Sequence, residues 1–522
     1  MRPSKDSRSK PAAGKAASRA AARATRGPGA GAWVVLALAA WSAAAVWFFH
    51  SHGWQYFYGD AEAHLNIARR ITDNLTPGYD QVGTVWLPLP HWLTMPLARM
   101  DGLWRNGLAG AIPSAASFVL AGWLLFASVR RIFDSTAAAL VATSLAALNP
   151  NLMCLQSTAM TEAIFLACLM GVLYCSVRFA EGTSWWAAAG AGLAALAGTL
   201  TRYEGWFLIP FVAAYFLLVG KSRRIGAALL FGLIAALGPL FWLGHNWWLS
   251  GDPWDFFSGP YSARAIQRGL PYPGMNDWAD AWRYFRTAAQ LCAGSVLPLL
   301  ALGGAAATLW RRKFWPLGLL ALPAVFYIWS VHSSGTPIFV PTLPPFSLYN
   351  TRYGLAALPL LVVAAAGLVT LAPARARGLV AALLVAAATA PWLMHPQPKS
   401  WIVWEESRVN SETRLAWTEE TAAYLGPRYR SGAGILTSFG DVTGVYRRLG
   451  IPLRDTFTGD NGLFWLAAVR RPELFLRQGW AVLRVDDPMW RAIQPMSRAG
   501  THYTLEKTIL VKGAPAIQIF RR

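Results

Sequence analysis

Between residues 32 and 394 the chain is a succession of apolar runs separated by short polar turns. Eleven runs stand out, at 32–49, 111–129, 136–152, 162–177, 185–200, 206–218, 225–248, 290–310, 315–331, 353–371 and 379–394. A membrane-crossing helix needs roughly 20 apolar residues. The shorter runs therefore predict either thinned bilayer beside them or helices whose ends continue into the polar turns. Three larger polar stretches interrupt the series, at 50–110, 250–289 and 332–352. After residue 396 the pattern changes to ordinary, charged composition. There, 434–439 and 481–485 read as buried strands and 461–477 as helix, while 503–512 and 516–521 form a hairpin closing around Gly513. The expected fold class is an α-helical polytopic membrane protein with a small C-terminal α/β domain. Its parts are a disordered basic tail at 1–31, a transmembrane region with loops at 32–395, and the α/β domain at 396–522.

Charge gives the runs a direction. With the N-terminus in the cytoplasm, the inner loops hold Arg130 and Arg131, Arg178, Lys221 with Arg223 and Arg224, Arg311 to Lys313, and Arg375 with Arg377. The short turns on the other side hold Arg202 or no basic residue. This is the positive-inside pattern, and it predicts a multi-pass protein of the cell (inner) membrane with an extracytoplasmic C-terminal domain. The basic tail, from Arg2 to Arg26, agrees. The run at 32–49 exceeds a signal-peptide h-region and lacks a small-residue cleavage site, so it reads as a retained anchor.

Composition adds little beyond this. The chain is 55% hydrophobic and 14% charged, against about 25% charged in soluble domains. A net charge of +21 raises nucleic acid as a partner. The basic residues lie in the tail and interhelical loops, so membrane lipids are the expected partner and nucleic acid is not. Cys154, Cys168, Cys175 and Cys292 fall in or beside apolar runs without metal-finger spacing, which argues against a disulfide framework or zinc site.

The candidate chemistry collects on the predicted outer face. Just past the first run, Tyr58-Gly-Asp-Ala-Glu-Ala-His64 opens a helical stretch. Asp60 and Glu62 suit its first turn as cap and dipole partner. Asp60 and His64 are spaced i, i+4, while Glu62, Asn66 and Arg69 follow another face. His91, in a proline-stiffened segment, reads as an interfacial histidine. Glu162 opens a later run, and an acid near membrane depth is expensive unless paired or hydrated. The turn Thr201-Arg-Tyr-Glu-Gly205 holds Arg202 and Glu204, which either pair with each other or face a phosphate. Arg352 in Asn350-Thr-Arg-Tyr-Gly354 suits phosphate or interfacial snorkelling. Carboxylates and arginines at one mouth suit a reaction that deprotonates a hydroxyl and expels a phosphate. A transporter or flippase for a lipid-linked or small polar substrate is the rival, and it would need polar groups spread through the membrane depth. A non-catalytic assembly subunit would leave the clustered carboxylates unexplained.

These motifs, together with Thr161-Glu162, Asn246 to Pro253 and Arg352-Tyr353, resemble the GT-C superfamily of integral-membrane glycosyltransferases. The nearest branch is that of protein O-mannosyltransferases and aminoarabinose lipid A transferases. The resemblance implies an inverting transfer of a hexose or pentose from a polyprenyl-phosphate-sugar donor to a glycan, lipid or protein acceptor outside the cytoplasm. Asp60 matches the first-loop acid that serves as base. Eukaryotic members carry adjacent acids there, whereas Ala61 separates Asp60 from Glu62, a faint echo of the metal-binding Asp-X-Asp of oligosaccharyltransferases. Metal independence is expected, since arginines can neutralise one lipid phosphate. Glu162, Arg202, Glu204, Arg352, Tyr353, His64 and Arg69 complete the expected donor and acceptor surroundings.

Overall fold

The computed structural model describes residues 29–220, 223–267, 269–438, 440, 442–498 and 502–522. The basic tail residues Arg2 to Arg26 and the loop residue Lys221 lie outside the described residues. The first helix, α1 (Ala30–Ser51), leads into the first polar stretch, which folds as α2 (Gly59–Arg70) and α3 (Leu89–Ala98). The bundle continues through α4 (Leu108–Phe133), α5 (Thr136–Ala147), α6 (Pro150–Gln156), α7 (Glu162–Gly182), α8 (Trp185–Thr199), α9 (Glu204–Val219) and α10 (Arg224–Ser250). Then come α11 (Trp278–Ala293), α12 (Leu297–Trp310), α13 (Trp315–Ser333), the partly 3₁₀ rod α14 (Thr351–Leu371) and α15 (Ala374–Met394).

All eleven apolar runs are helical, and among the described residues seven helices have the length and apolarity to cross a membrane. This is a polytopic helical membrane protein. Two of the expected straight spans are broken. The run at 136–152 bends by 67° between α5 and α6, because Asn149 caps a new helix, accepting from Asn151 N and Leu152 N, and Pro150 starts it. The run at 290–310 bends by 102° between α11 and α12. Gly294, at φ 83°, ends α11 there in a conformation that side chains disfavour.

The basic loops expected on one face do meet. Lys313 Nζ donates to Ile132 O (2.6 Å), Arg311 Nη2 to Thr370 O (2.6 Å), and Arg131 pairs with Glu181 (2.8 Å). The polar stretches carrying the acids lie at the other end.

Beyond α15, α16 (Ile402–Leu425) returns across the mouth of the bundle. The remaining chain forms a five-stranded sheet of β1 (Ile435–Thr437), β2 (Thr456–Phe457), β3 (Trp480–Arg484), β4 (Thr504–Ile509) and β5 (Ile517–Arg521), in the order β2-β1-β3-β5-β4. The β1 strand pairs in parallel with β2 and β3, while β5 is antiparallel to β3 and β4. Helices α17 (Leu463–Arg470) and α18 (Pro488–Arg498) complete it. The expected helix at 461–477 is interrupted at Pro472, and the hairpin around Gly513 forms with an irregularity between Leu505 and Lys507.

Candidate active site

The first-loop helix α2 has two polar faces with different partners. Asp60 is not its cap, as the spacing had suggested. Tyr58 holds the N-cap position without a side-chain bond, and Asp60 stands in the first turn. Its carboxylate reaches outward to Arg352, with Nη2 donating to Oδ2 at 2.6 Å. One turn on, His64 Nδ1 meets His91 Nε2 at 2.8 Å, and Trp86 lies over the His64 ring at 4.4 Å. His91 is fully buried rather than interfacial. Burial, then the nearby Arg202 and Arg352 charges, push the His64 pKa down to about 3, so this imidazole stays neutral at working pH.

The other face is structural. Glu62 is buried and pairs with Arg414 of α16 and with Arg447 (3.8 Å). Arg69 is buried against Asp73 (2.7 Å), Asp101 (2.5 Å) and the carbonyls of Ala98 and Arg99. Neither reaches the cleft described below, so the expected site roles of Glu62 and Arg69 are replaced by the task of tying α2 to its neighbours. Removing one partner of a buried ion pair strands the other charge, at a cost of about 3–5 kcal/mol. Glu62→Gln is accordingly expected to lower the unfolding temperature markedly, read by thermal shift in detergent, while transfer per folded molecule stays near wild type.

Two arginines define the opposite side of the mouth. Arg202 sits in the turn between α8 and α9 and pairs with Glu204 (2.5 Å) and Glu162 (3.0 Å). It also donates to Thr161 Oγ1 (2.7 Å) and Tyr327 Oη (2.5 Å). Arg352 opens α14, where Gly354 packs so closely on α11 that a Cβ would collide with the Ala288 backbone carbonyl. This contact fixes the start of the rod and so the reach of Arg352. Its guanidinium lies against Asp60, Glu162 (3.4 Å) and Glu406 (3.7 Å). Glu162, in the first turn of α7 where the helix dipole favours an anion, bridges the two arginines. Tyr353 stacks on Tyr327 at 4.5 Å, with the Arg202 and Arg352 guanidiniums 5.8 and 5.4 Å from its ring centre. Phe256 of the 250–289 stretch stacks on Tyr203, next to Arg202, at 4.9 Å.

Glu406, on α16, is the main site residue the sequence reading missed. It accepts from Thr351 N (2.6 Å), Thr351 Oγ1 (2.5 Å) and Tyr58 Oη (3.3 Å), and is almost wholly buried. Burial pushes its pKa up, against the pull of Arg352 and the Thr351 bonds. The available signal was an acidic pair, Glu405-Glu406, directly after the apolar Trp401-Ile-Val-Trp404.

The arginines head a cleft between α7, α13 and α14. Its polar end is Glu162, Arg202, Glu204, Tyr327, Arg352 and Tyr353. Its other wall is apolar. Phe165, Leu166 and Leu169 follow Glu162 along one face of α7, and Leu355, Ala356 and Pro359 follow Arg352 along α14. Leu152, Leu166, Leu358 and Pro359 also line a small adjoining apolar gap that reaches Leu38 and Phe118. Within the polar end, Glu162 Oε2 and Arg352 Nε are buried without hydrogen-bond partners. Two guanidiniums face four carboxylates, so an incoming anion must displace a carboxylate. Asp60, 41% exposed, is the one that solvent reaches; the others are at most 13% exposed.

The sequence model of the family described as dolichyl-phosphate-mannose-protein mannosyltransferase matches residues 88–248, which include Glu162, Arg202 and Glu204 and leave out Asp60, Arg352 and Glu406. No curated protein matches the sequence. Two solved structures of ArnT from Cupriavidus metallidurans are similar to this chain. The form bound to undecaprenyl phosphate is 15% identical with a TM-score of 0.57, covering 94% of this chain and 98% of that one. The apo form is 15% identical with a TM-score of 0.52, covering 88% and 93%. At this level the likeness is one of architecture, and the chain has the GT-C type of fold that its motifs led us to expect.

Proposed function

We propose that this chain is an inverting glycosyltransferase that passes a sugar from a polyprenyl-phosphate donor to a hydroxyl of a glycan, lipid or protein acceptor. The observation that carries this reading is the two-part cleft, with a pair of arginines at one end and an apolar wall leading from them along α7 and α14. An isoprenoid phosphate has the same division. A fold relative solved with undecaprenyl phosphate supports a ligand of this class.

In the proposed reaction the donor phosphate takes Arg352 and Arg202, and releases Asp60 from its pair with Arg352. The freed carboxylate removes the proton of the acceptor hydroxyl as that oxygen attacks the anomeric carbon. The bond from that carbon to the phosphate oxygen breaks, and its electron pair leaves with the lipid phosphate. Charge on that phosphate grows from one minus towards two, so the guanidiniums stabilise the transition state more than the ground state. His64, neutral and held by His91 and Trp86, stands one turn from Asp60 as a hydrogen-bonding group for sugar or acceptor. The reaction is placed on the face opposite the basic loops, outside the cytoplasm.

The test is release of polyprenyl phosphate from a panel of polyprenyl-phosphate sugars by the purified protein in lipid, with sugar appearing on an added acceptor. Movement of intact donor across the bilayer without cleavage would instead favour a flippase. With Asp60 displaced, Arg352 supplies counter-charge to the phosphate, so transfer is expected to be unchanged after exhaustive chelation with EDTA. A loss restored by a divalent cation would overturn the metal-free assignment.

A further inference from the structure

The C-terminal region bears an apolar ridge that the proposed reaction does not use. In α17, Trp465, Ala468 and Val469 turn inward onto the domain core, at the spacing of one helix face. The opposite face presents Leu463 and Leu466, 83% and 56% exposed, with Phe464 beside them. The next turn, Pro472–Phe475, adds exposed Leu474 and Phe475. Exposed Arg470 and Arg477 flank the ridge, and exposed Arg471 pairs with Glu473 at 2.6 Å. An apolar ridge whose rim carries a net excess of two cations suits a partner that is apolar within and anionic at its edge.

Its position identifies that partner. The ridge begins two residues after Asn461, whose amide donates to Asn74 Oδ1 (3.1 Å), and Asp460 pairs with Arg70. Arg70 and Asn74 in turn hold Gln81, at 2.7 and 2.5 Å. Gln81 belongs to the turn Tyr79–Val82, where Tyr79 packs against His245 and Trp248 at the end of α10. Trp247 and Trp248 there are 67% and 66% exposed, as expected of an aromatic belt at a membrane–water interface. A relay of contacts through the end of α2 and the 79–82 turn therefore links the base of the ridge to the outer end of a spanning helix.

We infer that α17 and the following turn rest in the headgroup–acyl boundary of the bilayer, with Leu463, Phe464 and Leu466 inserted and the arginines on anionic headgroups. Such helices insert by about 5–10 Å. The contact pins the C-terminal domain, and with it Glu406, over the mouth of the bundle.

The experiment places a fluorophore on full-length Leu466→Cys protein in nanodiscs of phosphatidylcholine and phosphatidylglycerol, without sugar donor or acceptor. The position is exposed, so folding should be unaffected, and the parent chain labelled in parallel gives the background from the native cysteines. Nitroxide carried high on the lipid acyl chains should quench most of the emission, and aqueous iodide little. A label on exposed Lys512→Cys should give the reverse. The inference is overturned if the Leu466 label behaves like the Lys512 label. It is overturned too if the label is shielded from both quenchers and transfers energy between labelled copies, which would make the ridge a self-association face. Lipid quenching that appears only after an amphipathic acceptor is added would likewise overturn it, assigning the ridge to acceptor binding.

Discussion

Asp60→Asn is expected to lower sugar transfer by roughly 10²- to 10⁴-fold, the usual contribution of a positioned general base. The substitution is nearly isosteric and removes no helix cap, because Tyr58 occupies that position. The introduced amide would still accept a hydrogen bond from Arg352 through its oxygen, so the mouth should keep its shape. Donor binding should not weaken and should tighten. The carboxylate competes with the donor phosphate for Arg352 at 2.6 Å, and asparagine competes less. Transfer and donor affinity measured on the same preparation separate the roles. Near-normal transfer would return the base to another carboxylate, with Glu162 the nearest candidate. Weakened donor binding would mean that Asp60 helps to hold the donor.

The parts of this architecture that sequence revealed are those set by local pattern. Apolar length gives the helices of the bundle, basic loops gather on one face of it, and Gly513 marks the closing hairpin, whereas the break at Pro472 inside the expected 461–477 helix was not read. The two bends were missed because hydropathy sums over a window, whereas a bend depends on a cap such as Asn149 or a left-handed residue such as Gly294. In the site, the acids and arginines of short outer turns were legible, since charge is costly near apolar runs. Pairing was not. Asp60 and Arg352 meet across 292 positions and Glu62 and Arg414 across 352, and no spacing rule covers such distances. Spacing put Asp60 and Glu62 on different faces of α2, but it gave no means of telling that one face meets Arg352 and the other Arg414. Glu406 was overlooked for the same reason: it lies in the C-terminal region, and only the return of α16 over the mouth brings it to Arg352.

Arg352→Lys is expected to lower kcat/KM for the donor by roughly 10²- to 10³-fold, the scale of losing a donor aimed at developing negative charge. Arg352 is held from three directions, with Nη2 at Asp60, Nε at Glu162 and Nη1 at Glu406. A planar fork can keep Glu162 and Glu406 while its Nη2 edge passes from Asp60 to phosphate, whereas an ammonium is a point charge on a flexible stem. Lysine keeps the formal charge, so a large loss would report geometry rather than charge alone. Glu406→Gln supplies the comparison. Glutamine can still accept through its carbonyl oxygen from the Thr351 backbone and hydroxyl, but it no longer holds Arg352 by charge. A positioning role predicts a smaller loss for this variant, expressed mainly in the KM for donor, while Arg352→Lys lowers kcat as well. If the lysine variant binds donor and transfers sugar like wild type, the phosphate does not sit at Arg352, and the polar end of the cleft must then be assigned to Arg202 alone.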